Sequence, residues 1–310
     1  MISMVEKMAS EKDLRLVTVN KFTGDLEEAS CPICPEPPGP KLIFRTGNGI
    51  GFWKCPICDI QFASPRFTKE SLLKIYENES FADLSFYDDW TYNNWKKENL
   101  HRSYITQKLK LHTLKRFLNE NDRILDVGCG PGLFCLEASK NGLNAEGIEP
   151  SRMLVDIGRN KLNIDIHYGL LEDFRPTYKF NGITIWDVLE HIPNPVEILT
   201  KSYDLMEDDG YLFVQVPNYE GISNRFKTFL NRSGIKNNDF KHFGFPWHIF
   251  SFNQKSLSIL LKTCGFTPVL FESWSHKLKE GSLDLISRII ISLSKKYNLS
   301  DYITCLAQKI

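Results

Sequence analysis

Hydrophobic and polar positions along this 310-residue chain follow two periods, and they alternate from residue 124 onward. Short apolar runs ending at glycine or proline predict strands, and apolar positions three and four apart predict helices. Ile124, Leu125 and Val127 read as a buried strand, Leu133 to Lys140 as a helix closed by Asn141-Gly142, and Asn144 to Ile148 as the next strand. Further strands are expected at Ile164 to His167, Gly182 to Trp186 and Tyr211 to Val216, the last stopped by Pro217-Asn218. Asn253 is placed to cap a helix ending at Cys264-Gly265. FTPVLFESW (266–274) and Tyr302 to Ala307 read as strands, and the amphipathic stretch Leu283 to Leu293 is expected to pack on the sheet edge, with a partner or membrane-surface role as the alternative. This order predicts an α/β domain with a parallel sheet covered on both faces.

The first third of the chain is patterned differently. KLIFRTGNGIGFWK (41–54) reads as a hairpin turning at Gly47-Asn48-Gly49, and it separates Cys31-Pro-Ile-Cys34 from Cys55-Pro-Ile-Cys58. Two C-x2-C pairs at this spacing form the knuckles of a zinc ribbon, in which Cys31, Cys34, Cys55 and Cys58 complete a closed tetrahedral site. A redox pair is the competing reading, but it would more naturally open a helix and has no need of a second copy. Phe67 to Tyr76 and KLKLHTLKRFL (108–118) have helical periodicity, with the aromatic, acidic stretch 81–95 between them.

Chemistry concentrates in residues 123–151. The strand runs into Gly128-Cys129-Gly130-Pro131-Gly132, and Glu149 stands nineteen positions after Gly130, where a carboxylate can accept hydrogen bonds from two ribose hydroxyls. This describes a nucleoside pocket. A dinucleotide fingerprint wants a small residue where Leu133 stands, and no Gly-Lys-Ser/Thr follows to cradle phosphates. The plain alternative is a glycine turn of the kind that follows any strand of an α/β domain.

Composition narrows the partners. Lys+Arg and Asp+Glu each total 38, so no global field recruits nucleic acid or anionic lipid. The charged opening MISMVEKMASEKDLR does not read as a secretory leader, and no apolar run approaches the roughly 18 residues of a membrane span. A cytoplasmic location is expected, where paired cysteines usually mean metal.

The segments CPIC…CPIC, LDVGCGPG, GIEPS, GLLEDF, WDVLEHIPNP, GYLFVQVPN and WHIFSF, with a following helix ending in CGF, occur in one order. Residues 31–310 resemble small-molecule methyltransferases that carry an N-terminal zinc ribbon ahead of a class I S-adenosylmethionine-dependent methyltransferase domain. The resemblance implies a Rossmann-like sheet of seven strands with the last inserted antiparallel. It divides the chain into a polar lead-in (1–28), a zinc ribbon (29–66), a helical linker or cap (67–120) and a methyltransferase domain (121–310). It also implies that Asp126 and the backbone of Gly128, Cys129, Gly130 and Gly132 hold the methionine part of S-adenosylmethionine. Glu149 and Pro150 would lie at the ribose, Leu171, Glu172 and Asp173 at the adenine, and Trp186 and Asp187 beside the sulfonium.

Asp187, Glu190 and His191 offer carboxylates and a base at the fourth strand's end. In the ubiquinone-pathway O-methyltransferases, which share the Glu-His ending, corresponding residues are associated with a divalent cation; Asp187 is one methylene shorter, which leaves magnesium as an open alternative. His191 has a structural reading too, capping the turn before Pro193. His248, in FPWHIFSF, lies where relatives place a histidine near the substrate, with His242 close by. The expected activity is O-methylation of a small molecule or glycan precursor, with sugar C-methylation as a variant. The alternatives are a zinc-ribbon RNA methyltransferase, disfavoured because Lys41, Arg45 and Lys54 are not backed by a dense basic run, and a non-catalytic cofactor-binding scaffold. The long loop from Tyr219 to Phe250 is expected to help select the acceptor. The oligomeric state stays open.

Overall fold

A computed structural model describes residues 17–19, 22–47, 49–77, 102–233, 235, 243–244, 247–275 and 293–310. The aromatic stretch 81–95, the amphipathic stretch up to residue 292, His242 and most of the lead-in lie outside the described residues.

The ribbon hairpin forms as its turn residues dictate. β1 (Lys41–Arg45) pairs antiparallel with β2 (Gly51–Lys54), and β2 with β3 (Gln61–Ser64). Helix α1 (Lys69–Glu77) follows, and α2 (Arg102–Leu114) precedes the main sheet. Next come β4 (Arg123–Val127), α3 (Leu133–Lys140), β5 (Asn144–Glu149), β6 (Ile166–Tyr168), β7 (Phe180–Trp186), α4 (Pro195–Leu205) and β8 (Met206–Pro217). After these stand α5 (Ile222–Arg232), β9 (Phe250–Ser251), α6 (Gln254–Thr263), β10 (Phe266–Trp274) and β11 (Tyr302–Lys309).

The main sheet has seven strands in the order β6-β5-β4-β7-β8-β11-β10. β11 is antiparallel to both its neighbours, and the remaining pairs are parallel. Central strands are apolar on both faces because helices cover both: four of the five residues of β4 and six of the seven of β7 are buried. Asn253 caps α6 as expected, accepting from the Ser256 amide at 2.8 Å while the Ser256 hydroxyl accepts from the Asn253 amide at 3.0 Å.

Three boundaries depart from the sequence reading. The third strand of the sheet starts at Ile166 rather than Ile164, because Asn163 turns through φ +54° at the end of the preceding helical turn. β11 runs on to Lys309, whose ammonium donates to the Met206 carbonyl at 2.8 Å. The stretch from Tyr219 to Phe250 contains a full helix, α5, whose Phe226 and Phe229 are exposed, so its periodicity carries no buried stripe.

Ribbon and sheet domain share one core. β9 adds to the ribbon sheet, Phe250 pairing with Phe62 and Ser251 with Gln61, and a single cluster of buried residues runs from Phe44, Phe52 and Phe62 to Phe252, Leu257 and Val214. A ribbon of this size has little core of its own, so borrowing Phe250 and Phe252 from the larger domain supplies the missing apolar contact.

Candidate functional site

β4 ends in the glycine turn, and its geometry selects the ligand. Gly128 has φ +67°, and a Cβ there would sit 2.6 Å from a Val188 methyl; Gly130 has φ +55°. The amides of Gly128 and Cys129 donate to the Ile148 carbonyl, that of Gly132 to the Cys129 carbonyl, and that of Gly130 to Glu149 Oε2. Pro131 has no amide to offer. With these donors satisfied inside the turn, it is not the ring of free N–H groups that a phosphate requires.

A cavity of about 290 Å³ opens over this turn, at the small end of the usual size of ligand sites. Gly128, Gly130, Glu149, Pro150, Leu171, Glu172, Asp187 and His191 line it. Glu149 Oε1 accepts from the Ser151 amide at 2.9 Å, so both carboxylate oxygens are held by backbone and each keeps a lone pair for a further donor. Burial pushes the Glu149 carboxyl up to about 7. Of the two acids the sequence left as candidates for the adenine end, Glu172 lines this cavity, while Asp173 lines a neighbouring one with Arg159 and Arg175.

Several expected residues stand behind the wall instead of in it. Asp126 is buried and accepts from the Thr184 hydroxyl at 2.6 Å; burial raises its carboxyl to about 7. Cys129 turns its thiol to the Gly130 carbonyl, and Gly132 packs on Ile164 and Ile166. Trp186 packs edge-on against Phe134 at 5.4 Å. These four shape the turn and its support.

At the end of β7, beside the glycine turn, stands a cluster of buried and half-buried polar groups. Asp187, at φ +58°, accepts from Gln215 Nε2 at 2.7 Å through Oδ2, while its Oδ1 and both Glu190 oxygens have no hydrogen-bond partner among the described residues. Unpartnered buried carboxylate oxygens suit a cationic ligand. His191 Nδ1 lies 2.9 Å from the Trp247 carbonyl, which can only accept, so Nδ1 carries the proton and Nε2 the lone pair. His248 stands edge-on to His191 with ring centres 4.8 Å apart. Burial, reinforced by the facing ring, pulls His191 down to about 3; burial likewise pulls His248 down to about 4.

Glu190, His191 and His248 bring ligand atoms within 4.8 Å of one another. The grouping differs from the expected Asp187, Glu190 and His191: Asp187 Oδ2 is engaged by Gln215 and Lys110, and His248 stands in its place. Two imidazoles and one carboxylate are also a poor donor set for magnesium, which prefers oxygen.

Two contributors escaped the sequence reading. From α1, Lys69 reaches across the cavity to Glu172 at 3.1 Å, with Leu72 and Tyr76 beside it. From α2, Lys110 lies 4.0 Å from Asp187 Oδ2 and 4.8 Å from the centre of the Trp186 ring, and burial lowers its ammonium pKa. Lys110 shares a helical face with the buried Leu111, Leu114 and Leu118, and that spacing was the available signal.

In the ribbon, the Cys31, Cys34, Cys55 and Cys58 sulfurs are buried and lie within 4.8 Å of one another. Cys31 and Cys58 sulfurs are 3.5 Å apart, far beyond a disulfide bond and near the roughly 3.8 Å edge of a tetrahedron with Zn–S of about 2.3 Å. The Cys34 amide donates to the Cys31 sulfur at 3.3 Å, as a metal-binding knuckle requires.

Comparison with known proteins agrees with this geometry. The methyltransferase-domain family matches residues 98–270, more than half of the chain. A ubiquinone biosynthesis O-methyltransferase of Coxiella burnetii is 29% identical over 174 residues, 52% of this chain and 65% of that protein. One from Actinobacillus pleuropneumoniae is 34% identical over 107 residues, 31% of this chain and 46% of that protein. The chain thus spans less than two-thirds of the length of these relatives. Magnesium protoporphyrin IX methyltransferase of Synechocystis, solved with bound S-adenosylhomocysteine, superposes with a TM-score of 0.51 at 14% identity, covering 78% of this chain and 99% of that one. A methyltransferase from Thermotoga maritima gives 0.51 at 16% identity, covering 77% and 100%. With a matching domain, the seven-stranded order and a glycine turn unsuited to phosphate, the chain belongs to the class I S-adenosylmethionine-dependent methyltransferases.

Proposed function

We propose that the protein O-methylates a small molecule, with His191 as the base and the four-cysteine site holding a structural zinc. The observation that carries this reading is the neutral imidazole of His191, lining the cofactor cavity with Nε2 unprotonated and Glu190 Oε1 3.8 Å away. S-adenosylmethionine, when bound, supplies a methyl group already activated on a sulfonium sulfur. The protein then has to align a hydroxyl and remove its proton. His191 Nε2 takes that proton, and the unpartnered Glu190 carboxyl beside it gives the resulting imidazolium a hydrogen-bond partner in the interior.

In this reading Glu149 accepts from the ribose hydroxyls through its remaining lone pairs, Leu171 and Glu172 border the adenine, and Gly128 and Gly130 let the backbone approach the methionine part. Asp187 and Glu190 face the cationic sulfur. The resemblance to ubiquinone-pathway enzymes supports a small hydroxylated acceptor.

The test is methyl transfer from isotopically labelled cofactor into cell extracts fractionated by size. Label in the metabolite or glycan-precursor fraction is expected. Label confined to RNA would overturn the small-molecule reading in favour of the RNA one.

A further inference from the structure

Between the ribbon and α5 lies a second cavity, about 330 Å³, that shares no lining residue with the first. On one side α5 presents Arg225, Phe229 and Arg232; on the other stand Gln61 of β3, Tyr219 just past β8, and Phe243. Arg225 and Arg232 are seven residues apart, which puts them on one face of the helix about 10 Å apart along its axis. Among the described residues no carboxylate lines the cavity, although the chain as a whole is neutral. Neither arginine has an ion pair among the described residues, and Arg232 donates only to the Ile43 carbonyl, at 3.2 Å. Gln61 is 6% exposed and its Oε1 has no hydrogen-bond partner, so a buried acceptor in the wall waits for a donor.

This cavity is tied to the reacting end. Phe243 packs on Phe44 and Phe52 of the ribbon, with ring centres 4.5 and 5.3 Å away, and its backbone carbonyl accepts the imidazole N–H of His248. The turn that brings His248 back is tight: the Trp247 and His248 amides both donate to the Gly244 carbonyl. The residue that closes the cavity therefore also positions the histidine facing His191.

We propose that this cavity is an anion subsite for the methyl acceptor, holding a phosphate or carboxylate between Arg225 and Arg232 while the acceptor's apolar body lies on Phe229 and Phe243. The proposal rests on the small-molecule reading of the neighbouring site. Guanidinium groups bind both anions through paired N–H donors, and Gln61 Oε1 accepts from a hydroxyl or amide of the same ligand. Two arginines at an open pocket of about 330 Å³ fit one anionic group better than a polyanionic strand, which needs an extended basic track.

The test uses the full chain in calorimetric titrations with phenyl phosphate, benzoate and benzyl alcohol, each with adenosylhomocysteine affinity measured on the same sample. Saturable binding of an anion is expected, with the ratio of the two affinities telling a phosphate from a carboxylate source. Replacing both arginines, Arg225→Gln with Arg232→Gln, should weaken it about tenfold or more and leave adenosylhomocysteine affinity unchanged. Arg225→Gln alone, at an exposed position, serves as the variant whose folding is not in question and should weaken binding by several fold. Equal binding of benzyl alcohol, no saturable binding of either anion, or an unchanged affinity in both variants overturns the subsite. If adenosylhomocysteine still binds in those cases, the subsite alone has failed; if it does not bind the native chain, the reading beneath it has failed too.

Discussion

The cofactor cavity and the ribbon-side cavity lie against one continuous core yet are assembled in opposite ways. The first is framed by consecutive residues at strand ends: the glycine turn after β4, Glu149-Pro150 after β5, Leu171-Glu172 after β6, and Asp187 to His191 after β7. Backbone does much of its work, as the amides of Gly130 and Ser151 on Glu149 illustrate. The second gathers single side chains from the ribbon, α5 and the turn at Gly244. A site built on backbone geometry tolerates little change, whereas one built from scattered side chains can be respecified residue by residue. Under the proposed assignment of the first cavity to the donor and the second to the acceptor, that contrast is what a common donor and a divergent acceptor demand.

The sharpest way to separate the two regions is to disrupt the ribbon. Cys58 is fully buried in the four-sulfur cluster, and β3 just beyond it carries the pairing to β9. Cys58→Ser should remove bound zinc, measured by metal content per chain, and lower the melting temperature by about 10 °C or more. Methyl transfer should be lost while adenosylhomocysteine still binds. Equal loss of cofactor binding would show that the two regions form one cooperative unit.

Next in size is the histidine pair, at the border of the two cavities. His191→Ala should slow turnover by about 10²- to 10⁴-fold with adenosylhomocysteine affinity retained, as loss of a general base requires. His248→Ala should cost less, because His248 acts through its contact with His191. The reverse order would transfer the base to His248.

The same contrast explains what the sequence revealed. Gly128 and Gly130 were legible because a positive φ permits few residue types there, Glu149 because it ends the strand beside the turn, and the four cysteines because two C-x2-C pairs across a hairpin bring their sulfurs together. Seven strands with an antiparallel last one came from the family resemblance, and the alternation of strands and helices by itself predicted only a covered parallel sheet; the order β6-β5-β4-β7-β8-β11-β10 is seen only in the structure. Lys69 and Lys110 were missed since each reaches its partner across more than 75 positions; helical spacing marks Lys110 as facing inward but does not name Asp187 as its partner. Asp126 was placed in the pocket by its motif, but its carboxylate points to Thr184 on the adjacent strand β7. Helix α5 was read as loop because the stretch 219–250 is rich in Asn, Gly and Lys, although Ile222, Phe226, Phe229 and Leu230 stand at helical spacing. Phe250-Ser251 was read only as a motif, since pairing with Gln61 and Phe62 lies nearly two hundred positions away.

The smallest of the three effects is also the most specific to the donor side. Removing an acceptor of two ribose hydroxyls in Glu149→Ala should cost roughly 1.5 to 3 kcal/mol, about ten- to a hundredfold in S-adenosylmethionine affinity. Its pH dependence has a definite sign. With its carboxyl raised to about 7 in the free protein, Glu149 is increasingly protonated as pH falls below that value and loses the charge that makes it a strong acceptor. Adenosylhomocysteine affinity should therefore weaken from about pH 8 to about pH 6, by at most tenfold per pH unit. In Glu149→Gln the curve should flatten, and any slope left would belong to Asp126, whose carboxyl is raised to the same range. A native curve flat across this window would remove Glu149 from the ribose. Acceptor KM should not follow the Glu149 titration, because among the described residues that carboxylate is held by the Gly130 and Ser151 amides and by nothing lining the ribbon-side cavity; a parallel shift would mean that donor and acceptor sites are coupled through the core they share.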